Sequence, residues 1–411
     1  MVDSQNWIKK NKGFKYRLLP NQTQIEYLLK ACGCKRKIYN EYVARMIEKL
    51  EFDNFEDGKI PLSKLKLPSP AQVKKEFPFM KEIDALVFCN AEIAFKNAVN
   101  KYNKDAYKKQ YTKSALKKQK TIGRELTFKD LKGFPSFKSK KDGYDSFTTN
   151  NQTTAKGTET IEVKDNFIKI PKLKTPIKFI KHRELPLDGV IKNVTISKNS
   201  KGQFYVSINV EYYVLEKKTP SKKVVGLNYS QASFYYSSDG EIANYPKYYK
   251  KLEKRIIKER RKLSSKVYGS GNWLHQKQVI NRLQAKISNQ RKDWLHKISY
   301  CLAEEYDAVI VEDIDLRNVG QCLSLGKNLH DNGFGMFRVF LKYKLEDRGK
   351  QFIKIDKMFP SSKICSGCGN LKRKLSLYNR TYICDECGLA IDRDYNASLN
   401  ILVEGTELLA W

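Results

Sequence analysis

Cys365-Ser-Gly-Cys368 and Cys384-Asp-Glu-Cys387 make two C-x2-C pairs separated by fifteen residues, and no other feature restricts the folding of this chain so tightly. Each pair puts two sulfurs on one tight turn, with Gly369 and Gly388 following where backbone amides approach the sulfurs. Four thiolates around one Zn2+ complete a tetrahedral shell and leave no open position, so the expected role is structural. An iron centre is the chemical alternative, whereas a redox dithiol needs only one pair. The other five cysteines, Cys32, Cys34, Cys89, Cys301 and Cys322, are scattered and read as small buried apolar residues.

The charge balance narrows the partners. Lys and Arg number 78 against 45 Asp and Glu, a formal net charge of +33, and such a surplus repels itself until a polyanion neutralises it. Nucleic acid is the expected partner, with a solvated basic surface, or a ribosome-like or membrane-surface role, as the weaker alternatives. Basic residues run through almost the whole chain, which points to several contact surfaces instead of one tail. No segment reaches the roughly 18 consecutive apolar residues of a spanning helix, and the opening MVDSQNWIKK lacks the apolar core of a secretory signal. The expectation is an intracellular protein with no membrane partner. At 411 residues and 41% hydrophobic, two or three domains with real cores are expected.

Along the chain, Phe14-Lys-Tyr-Arg-Leu-Leu19 alternates bulky and polar residues and stops at Pro20-Asn21, as a strand ending in a turn does. Apolar residues from Ile25 to Met46 carry a helical phase, Pro61, Pro68 and Pro70 mark a loop, and a second helical region runs roughly from Ala71 to Lys109. The stretch from Lys113 to Lys141 is lysine-rich and then punctuated at Gly133-Phe-Pro-Ser-Phe-Lys138. Aromatics among lysines suit base stacking together with phosphate contact, and a solvated loop is the equal alternative. From Phe167 to Tyr213 short alternating runs predict antiparallel strands in a small barrel or curled sheet. Leu215 to Lys223 reads as a polar linker. Val224 to Leu227 then enters a strand, Ala232 to Tyr236 continues the sheet, and Ser238-Asp-Gly240 turns a hairpin. Two charged helices follow at about 248–265 and 278–305, and Ala308-Val-Ile-Val311 is a buried-type strand. That order is similar to the start of an RNase H-like fold.

Acidic residues stand at the two places where such a sheet would display them. Val311-Glu312-Asp313 ends the buried strand, and Ile391-Asp-Arg-Asp394-Tyr-Asn precedes a helical start. In a two-metal nuclease, acids from separate segments converge so that paired Mg2+ ions activate water and stabilise the leaving oxygen. A third acid belongs on the first strand, where the sequence reads Gly226-Leu-Asn228-Tyr-Ser230.

At these residues the chain resembles the TnpB family, transposon-encoded RNA-guided DNA nucleases related to the type V CRISPR effectors. The resemblance runs over nearly the full length. Its parts, in order, are Tyr16-Arg-Leu-Leu-Pro-Asn21, Gly33-Cys-Lys-Arg-Lys-Ile-Tyr-Asn40, Gly133-Phe-Pro-Ser-Phe-Lys138, Asn289-Gln-Arg-Lys-Asp293, Val311-Glu-Asp313, Asp331-Asn-Gly-Phe-Gly-Met-Phe337, Phe359-Pro-Ser-Ser-Lys363 and Asp392-Arg-Asp-Tyr-Asn-Ala397. It implies a multidomain α+β protein with a wedge-like β-barrel at 1–20 and 130–218, interrupted by a helical recognition insertion at 21–129. An RNase H-like (RuvC) α/β domain would follow at 222–360 and 391–411, holding the four-cysteine zinc ribbon at 361–390. It further implies a guide RNA, a target double-stranded DNA recognised beside a short motif, and a prokaryotic cytoplasm or nucleoid as the setting. A homodimer is compatible with it. Within the shared motifs, Tyr16, Arg17, Lys35, Arg36, Phe137, Lys138, Arg291 and Lys292 are the candidates for nucleic-acid contact.

Carried over by position, the RuvC-like acids are residue 228, Glu312 and Asp394, and the family's Asp at the first is Asn228 here. An amide is neutral where a bridging carboxylate is needed, so Mg2+ binding is expected to be weak or absent and cleavage lost or strongly impaired. RNA and DNA binding use other surfaces, and a protein that binds without cutting acts as a roadblock to transcription. An active nuclease tolerating Asn228 is the first alternative, and an RNA-independent DNA-binding transposition factor the second.

Overall fold

The computed structural model describes residues 7–56, 58–105, 110–140, 145–215, 223–230, 232–313, 331, 333–376 and 379–409. Most of the expected linker, at 216–222, and Cys322 lie outside the described residues. The chain divides into two compact units, residues 7–214 and residues 215 onward.

In the first unit, β1 (Trp7–Leu19) alternates as its sequence demands, burying Phe14, Tyr16 and Leu18 while the intervening side chains stay outside the core. Asn21 stops the strand and starts α1 (Gln22–Phe52) through a reciprocal pair of bonds, Gln24 N to Asn21 Oδ1 and Asn21 N to Gln24 Oε1, both 2.9 Å. The second helical region is broken by Pro78 into α2 (Pro70–Glu76), a 3-10 turn (Pro78–Glu82) and α3 (Ala85–Asp105). Pro70, expected in a loop, opens α2, where its missing N–H has no partner to lose. Lys113–Ile122 forms α4, capped by Thr112 and ended by Gly123 at φ 64°. The lysine-rich stretch is therefore helical at its start.

Strands β2 (Asp145–Asn150), β3 (Glu162–Lys164), β4 (Phe167–Lys169), β5 (Ile177–Ile180), β6 (Val190–Lys198) and β7 (Phe204–Leu215) join β1 in a seven-stranded sheet of order β2-β6-β7-β1-β5-β4-β3. Closure of the expected barrel requires the two end strands to pair; among the described residues β2 and β3 share no ladder, but the chain beyond β2 meets the chain before β3, with Thr153 bridged to Glu159 and Thr160 N donating to Gln152 O at 2.9 Å, so the sheet curls. Helices α1 and α3 pack on β2, and Phe147 shares one core with Ile38, Tyr42, Val87 and Phe95.

The second unit is built on a five-stranded sheet of β8 (Val224–Tyr229), β9 (Tyr235–Ser237), β10 (Ile242–Ala243), β11 (Ala308–Glu312) and β12 (Gln351–Ile355), in the order β10-β9-β8-β11-β12. The pairs β8/β11 and β11/β12 are parallel, while β8/β9 and β9/β10 are antiparallel. Helices α5 (Tyr248–Ser264) and α6 (Gly271–Glu305) lie between β10 and β11 in sequence, and α7 (Phe334–Glu346) between β11 and β12. Val225, Leu227, Val309 and Val311 face a core shared with Leu295 and Leu302 of α6 and Phe337 and Leu341 of α7. Strand periodicity sends Gly226 and Ile310 to the opposite face, which α8 (Arg393–Thr406) covers through Ile401. Between β12 and α8 lies a small hairpin of β13 (Thr381–Ile383) and β14 (Ala390–Asp392). No helix among the described residues is long and apolar enough to cross a membrane.

Gly226 sets how closely α8 lies on the sheet. A Cβ there would stand 2.5 Å from Ser398 O and 2.6 Å from Leu402 N, both backbone atoms of α8 that no rotamer change can move. Gly226→Ala is expected to push the helix outward at a cost of about 1–3 kcal/mol, read as a melting temperature lower by several degrees in differential scanning calorimetry.

Candidate functional site

Parallel register brings the sequence-predicted acids to one end of the sheet. Ala308 pairs with Val224 and the pairing continues to Val311 with Leu227, so Glu312 and Asn228 stand at the same level on neighbouring strands. Alternation puts both on the α8 face, the face that Gly226 and Ile310 also share. The first turn of α8 delivers Asp394 to that spot, held by the Asp392 cap whose Oδ1 accepts from Asp394 N at 2.9 Å and Tyr395 N at 3.0 Å.

There Asn228, 7% exposed, donates from Nδ2 to Asp394 Oδ1 at 3.2 Å and to Asp394 O at 3.3 Å. Ser230 Oγ lies 3.2 Å from Asp394 Oδ2 as a second donor. Both carboxylate oxygens are thus satisfied by protein groups. Ser230 has no role assigned from the sequence; its place two residues after Asn228, on the same side of the strand, was the available signal. Burial pushes the Glu312 carboxyl up to about 7, because lost hydration disfavours the charged form. A pair of Mg2+ ions asks for ionised, unengaged carboxylates and a bridging ligand; a neutral amide that donates to one acid, beside a second acid that keeps its proton to near neutrality, does not fit that demand.

The Glu312 shift has a thermodynamic consequence. Between the ordinary value of 4.5 and about 7, the folded protein retains a proton that the unfolded chain releases. This contribution to stability is fully present below about pH 4.5 and is lost as pH rises through 7. Glu312→Gln is expected to remove the dependence, gaining up to about 3 kcal/mol over the parent between pH 5 and pH 8. Urea unfolding at the two pH values measures it.

The four cysteines converge as their spacing requires. Their sulfurs all lie within 4.8 Å of one another, with Cys365 Sγ 3.6 Å from Cys387 Sγ and Cys368 Sγ 3.5 Å from Cys384 Sγ. A tetrahedron of zinc–sulfur bonds near 2.3 Å separates its sulfurs by about 3.8 Å, so the cluster fits structural zinc. The two turns are built alike: Cys365 N donates to Asn370 O and Gly369 N to Cys365 O, and Cys384 N donates to Leu389 O and Gly388 N to Cys384 O. Gly369 at φ 75° and Gly388 at φ 69° take the left-handed conformation that these turns need. Two buried asparagines of α8 tie the ribbon to the sheet unit. Asn396 Nδ2 donates to Ile364 O at 2.7 Å and Asn396 Oδ1 accepts from Ser366 N at 3.0 Å, while Asn400 Nδ2 donates to Ser361 O at 2.8 Å and to Ile364 O at 2.7 Å. Sequence reading missed this clamp, whose mark in the sequence is an i, i+4 asparagine pair on the buried face of the helix.

Comparison with known proteins places these features in a family. Residues 334–401 match the family described as Cas12f1-like, TNB domain; residues 204–322 match a family described as probable transposase; and residues 10–53 match a helix-turn-helix domain of the same transposase group. The chain is 28% identical over 402 residues to a putative RNA-guided DNA endonuclease of Streptomyces pristinaespiralis, covering 96% of this chain and 89% of that one. It is 28% identical over 419 residues to the putative RNA-guided DNA endonuclease InsQ of Escherichia coli, covering 98% and 94%. Shorter matches reach TnpB-like proteins of Acanthamoeba polyphaga mimivirus. A Cas12f1 chain solved with sgRNA and target DNA superposes with a TM-score of 0.51 at 15% identity, over 96% of this chain and 98% of that one. The chain is similar to the TnpB family throughout its length.

The segment matched as helix-turn-helix is one strand and one 31-residue helix, β1 and α1. Four of the eight nucleic-acid candidates meet in a cavity of about 480 Å³, lined by Lys35, Arg36, Phe137 and Lys138 with Tyr39 and Lys198. Lys35 Nζ donates to Ser146 O at 2.9 Å, and burial lowers its pKa. Arg36 pairs with Asp145 at 2.6 Å. Lys138 lies over the Tyr39 ring at 4.0 Å, its backbone held by Asn40. Phe137 and Arg17 are exposed, as is Lys292. Two candidates are engaged inside the protein. Tyr16 is 1% exposed, with its hydroxyl donating to Arg183 O at 3.1 Å. Arg291 is ion-paired at 3.1 Å with buried Asp331, which also accepts from Tyr249 N and Tyr245 OH.

Proposed function

We propose that this TnpB-family chain is an RNA-guided binder of double-stranded DNA that opens a guide-matched target into an R-loop, does not cut it efficiently, and so blocks transcription across the site. The observation that carries the reading is the hydrogen bond from Asn228 Nδ2 to the Asp394 carboxylate. Where two carboxylates would repel and draw in a cation, an amide and a carboxylate satisfy each other. Relatives named RNA-guided DNA endonucleases and a Cas12f1 fold solved with sgRNA and target DNA support the guide and target as partners. The basic cavity around Lys35, Arg36 and Lys138 supplies one surface for them. On this reading residues 222–360 and 391–411 form a RuvC-like domain with a vestigial site at Asn228, Glu312 and Asp394. The ribbon at 361–390 holds structural zinc, and 1–20 with 130–218 frame a recognition insertion at 21–129.

Protein purified from its host is expected to carry one RNA species of defined length. The complex should retard a guide-matched duplex and leave it intact after incubation with Mg2+. Efficient cutting would replace this reading with that of an active nuclease, and tight duplex binding indifferent to RNase would replace it with an RNA-independent DNA-binding factor.

A further inference from the structure

The first turn of α8 is gripped from two directions. Asp394 Oδ1 accepts from Asn228 Nδ2 at 3.2 Å, and Asp394 Oδ2 lies 3.2 Å from Ser230 Oγ, so the end of β8 engages both oxygens. The two donors are buried and are themselves fixed: Asn228 pairs with Tyr236 across β8 and β9, and Ser230 N donates to Phe234 O at 3.3 Å. Neighbouring side chains of the same turn face the four-cysteine ribbon instead. Arg393 donates from its guanidinium to Ser376 O at 3.2 Å and from its backbone N to Arg380 O at 2.8 Å, while buried Asn396 bonds Ile364 O and Ser366 N. At about 100° per residue, Arg393 and Asn396 stand about 60° apart around the helix axis, and Asp394 is about 100° or more from either. The turn is a junction, with β8 on one side and the ribbon on the other.

We infer that Asn228, Ser230 and Asp394 form a metal-independent clasp that holds the ribbon in register with the sheet, with Ser230 as a positioning residue. The inference rests on the reading of this site as one unsuited to paired Mg2+. In a two-metal centre the ions themselves tie together the segments that supply the acids. Here side-chain hydrogen bonds tie β8 to α8, and Arg380 Nη1, exposed and 4.0 Å from Asp394 Oδ2, adds a weak, screened attraction from the ribbon side. A carboxylate that accepts from buried donors is not removed without orphaning them. Once it is loosened the first turn is free to rotate, and rotation carries Arg393 and Asn396 off the ribbon.

Hydrogen exchange of the zinc-loaded, full-length protein tests this, read at Ser366 N–H and at the hairpin amides 381–392, with β11 as the internal reference. Ser230→Ala is expected to speed exchange in the ribbon by a factor on the order of ten, the scale of one lost hydrogen bond. Rates in β11 and the zinc content should stay parental. In an Asp394→Ala background, where ribbon exchange is already fast, Ser230→Ala should add less than about twofold, because the hydroxyl acts through that carboxylate. Millimolar Mg2+ should leave the parent's rates unchanged. Parental ribbon rates in Ser230→Ala, equal acceleration in β11, or the same acceleration with and without the Asp394 carboxylate overturns the clasp and leaves the guided-binding reading as it stands. Slower ribbon exchange of the parent in Mg2+ overturns both the clasp and the reading of the site as vestigial.

Discussion

Replacing Asn228 with aspartate is expected to raise guide-dependent DNA cleavage by a factor on the order of 10³ or more, the scale on which one preorganised electrostatic partner changes turnover. The substitution removes the amide donor 3.2 Å from Asp394 and sets two carboxylates at that separation, with Glu312 at the same sheet level. Such a group binds a divalent cation to relieve its own repulsion. Two readouts separate this from a general change in structure. Plasmid nicking with guide RNA and Mg2+ should appear in the variant and be negligible in the parent. In thermal unfolding, the variant should melt below the parent in EDTA and recover with Mg2+, while the parent is indifferent to the ion. A variant that melts like the parent under both conditions and does not cut would show that Asn228 is not what keeps the divalent cation out.

Removal of zinc is expected to have the larger structural effect. Binding of structural Zn2+ to four-ligand sites has an apparent free energy of about 10–16 kcal/mol, and the ribbon core around Cys365, Cys384 and Tyr382 is too small to stand without it. One zinc per chain should be found by elemental analysis, and Cys384→Ser should lose it. Limited proteolysis of that variant should then cut between residues 365 and 388 under conditions that leave the parent whole. Because Asn396 and Asn400 hold ribbon carbonyls, the loss should reach α8 and weaken retention of target DNA as well. A metal-free variant with parental protease resistance would show that the ribbon folds through its hairpin alone.

Much of this was legible in the sequence because the signals are local. The C-x2-C turns, the alternation of β1, the Asn21 cap of α1 and the buried run at 308–311 are each set by residues within a turn or two of one another, and backbone sterics and short-range hydrogen bonds decide them. Family motifs named residue 228, Glu312 and Asp394 as partners. The helical character of 113–122 was less visible, since lysines mark solvent and not backbone state, and the Thr112 cap and Gly123 stop are what turn that stretch into α4.

What the tertiary structure alone decided is which groups face each other. The seven-stranded sheet curls until the chain beyond β2 meets the chain before β3, and α1 and α3 cover β2; how far strands curl is set by packing between distant segments, and no local signal states it. Tyr16 is buried and Arg291 is tied to buried Asp331, although in one dimension both stand in motifs that read as nucleic-acid contacts. The pairing of Asn228 with Asp394, 166 residues apart, needs the parallel register of β8 and β11 and the close seat of α8 on Gly226. Sequence named an amide in place of an acid; the fold made that amide a donor to the acid opposite, because contacts between distant segments are fixed by packing, and packing is a property of the whole unit.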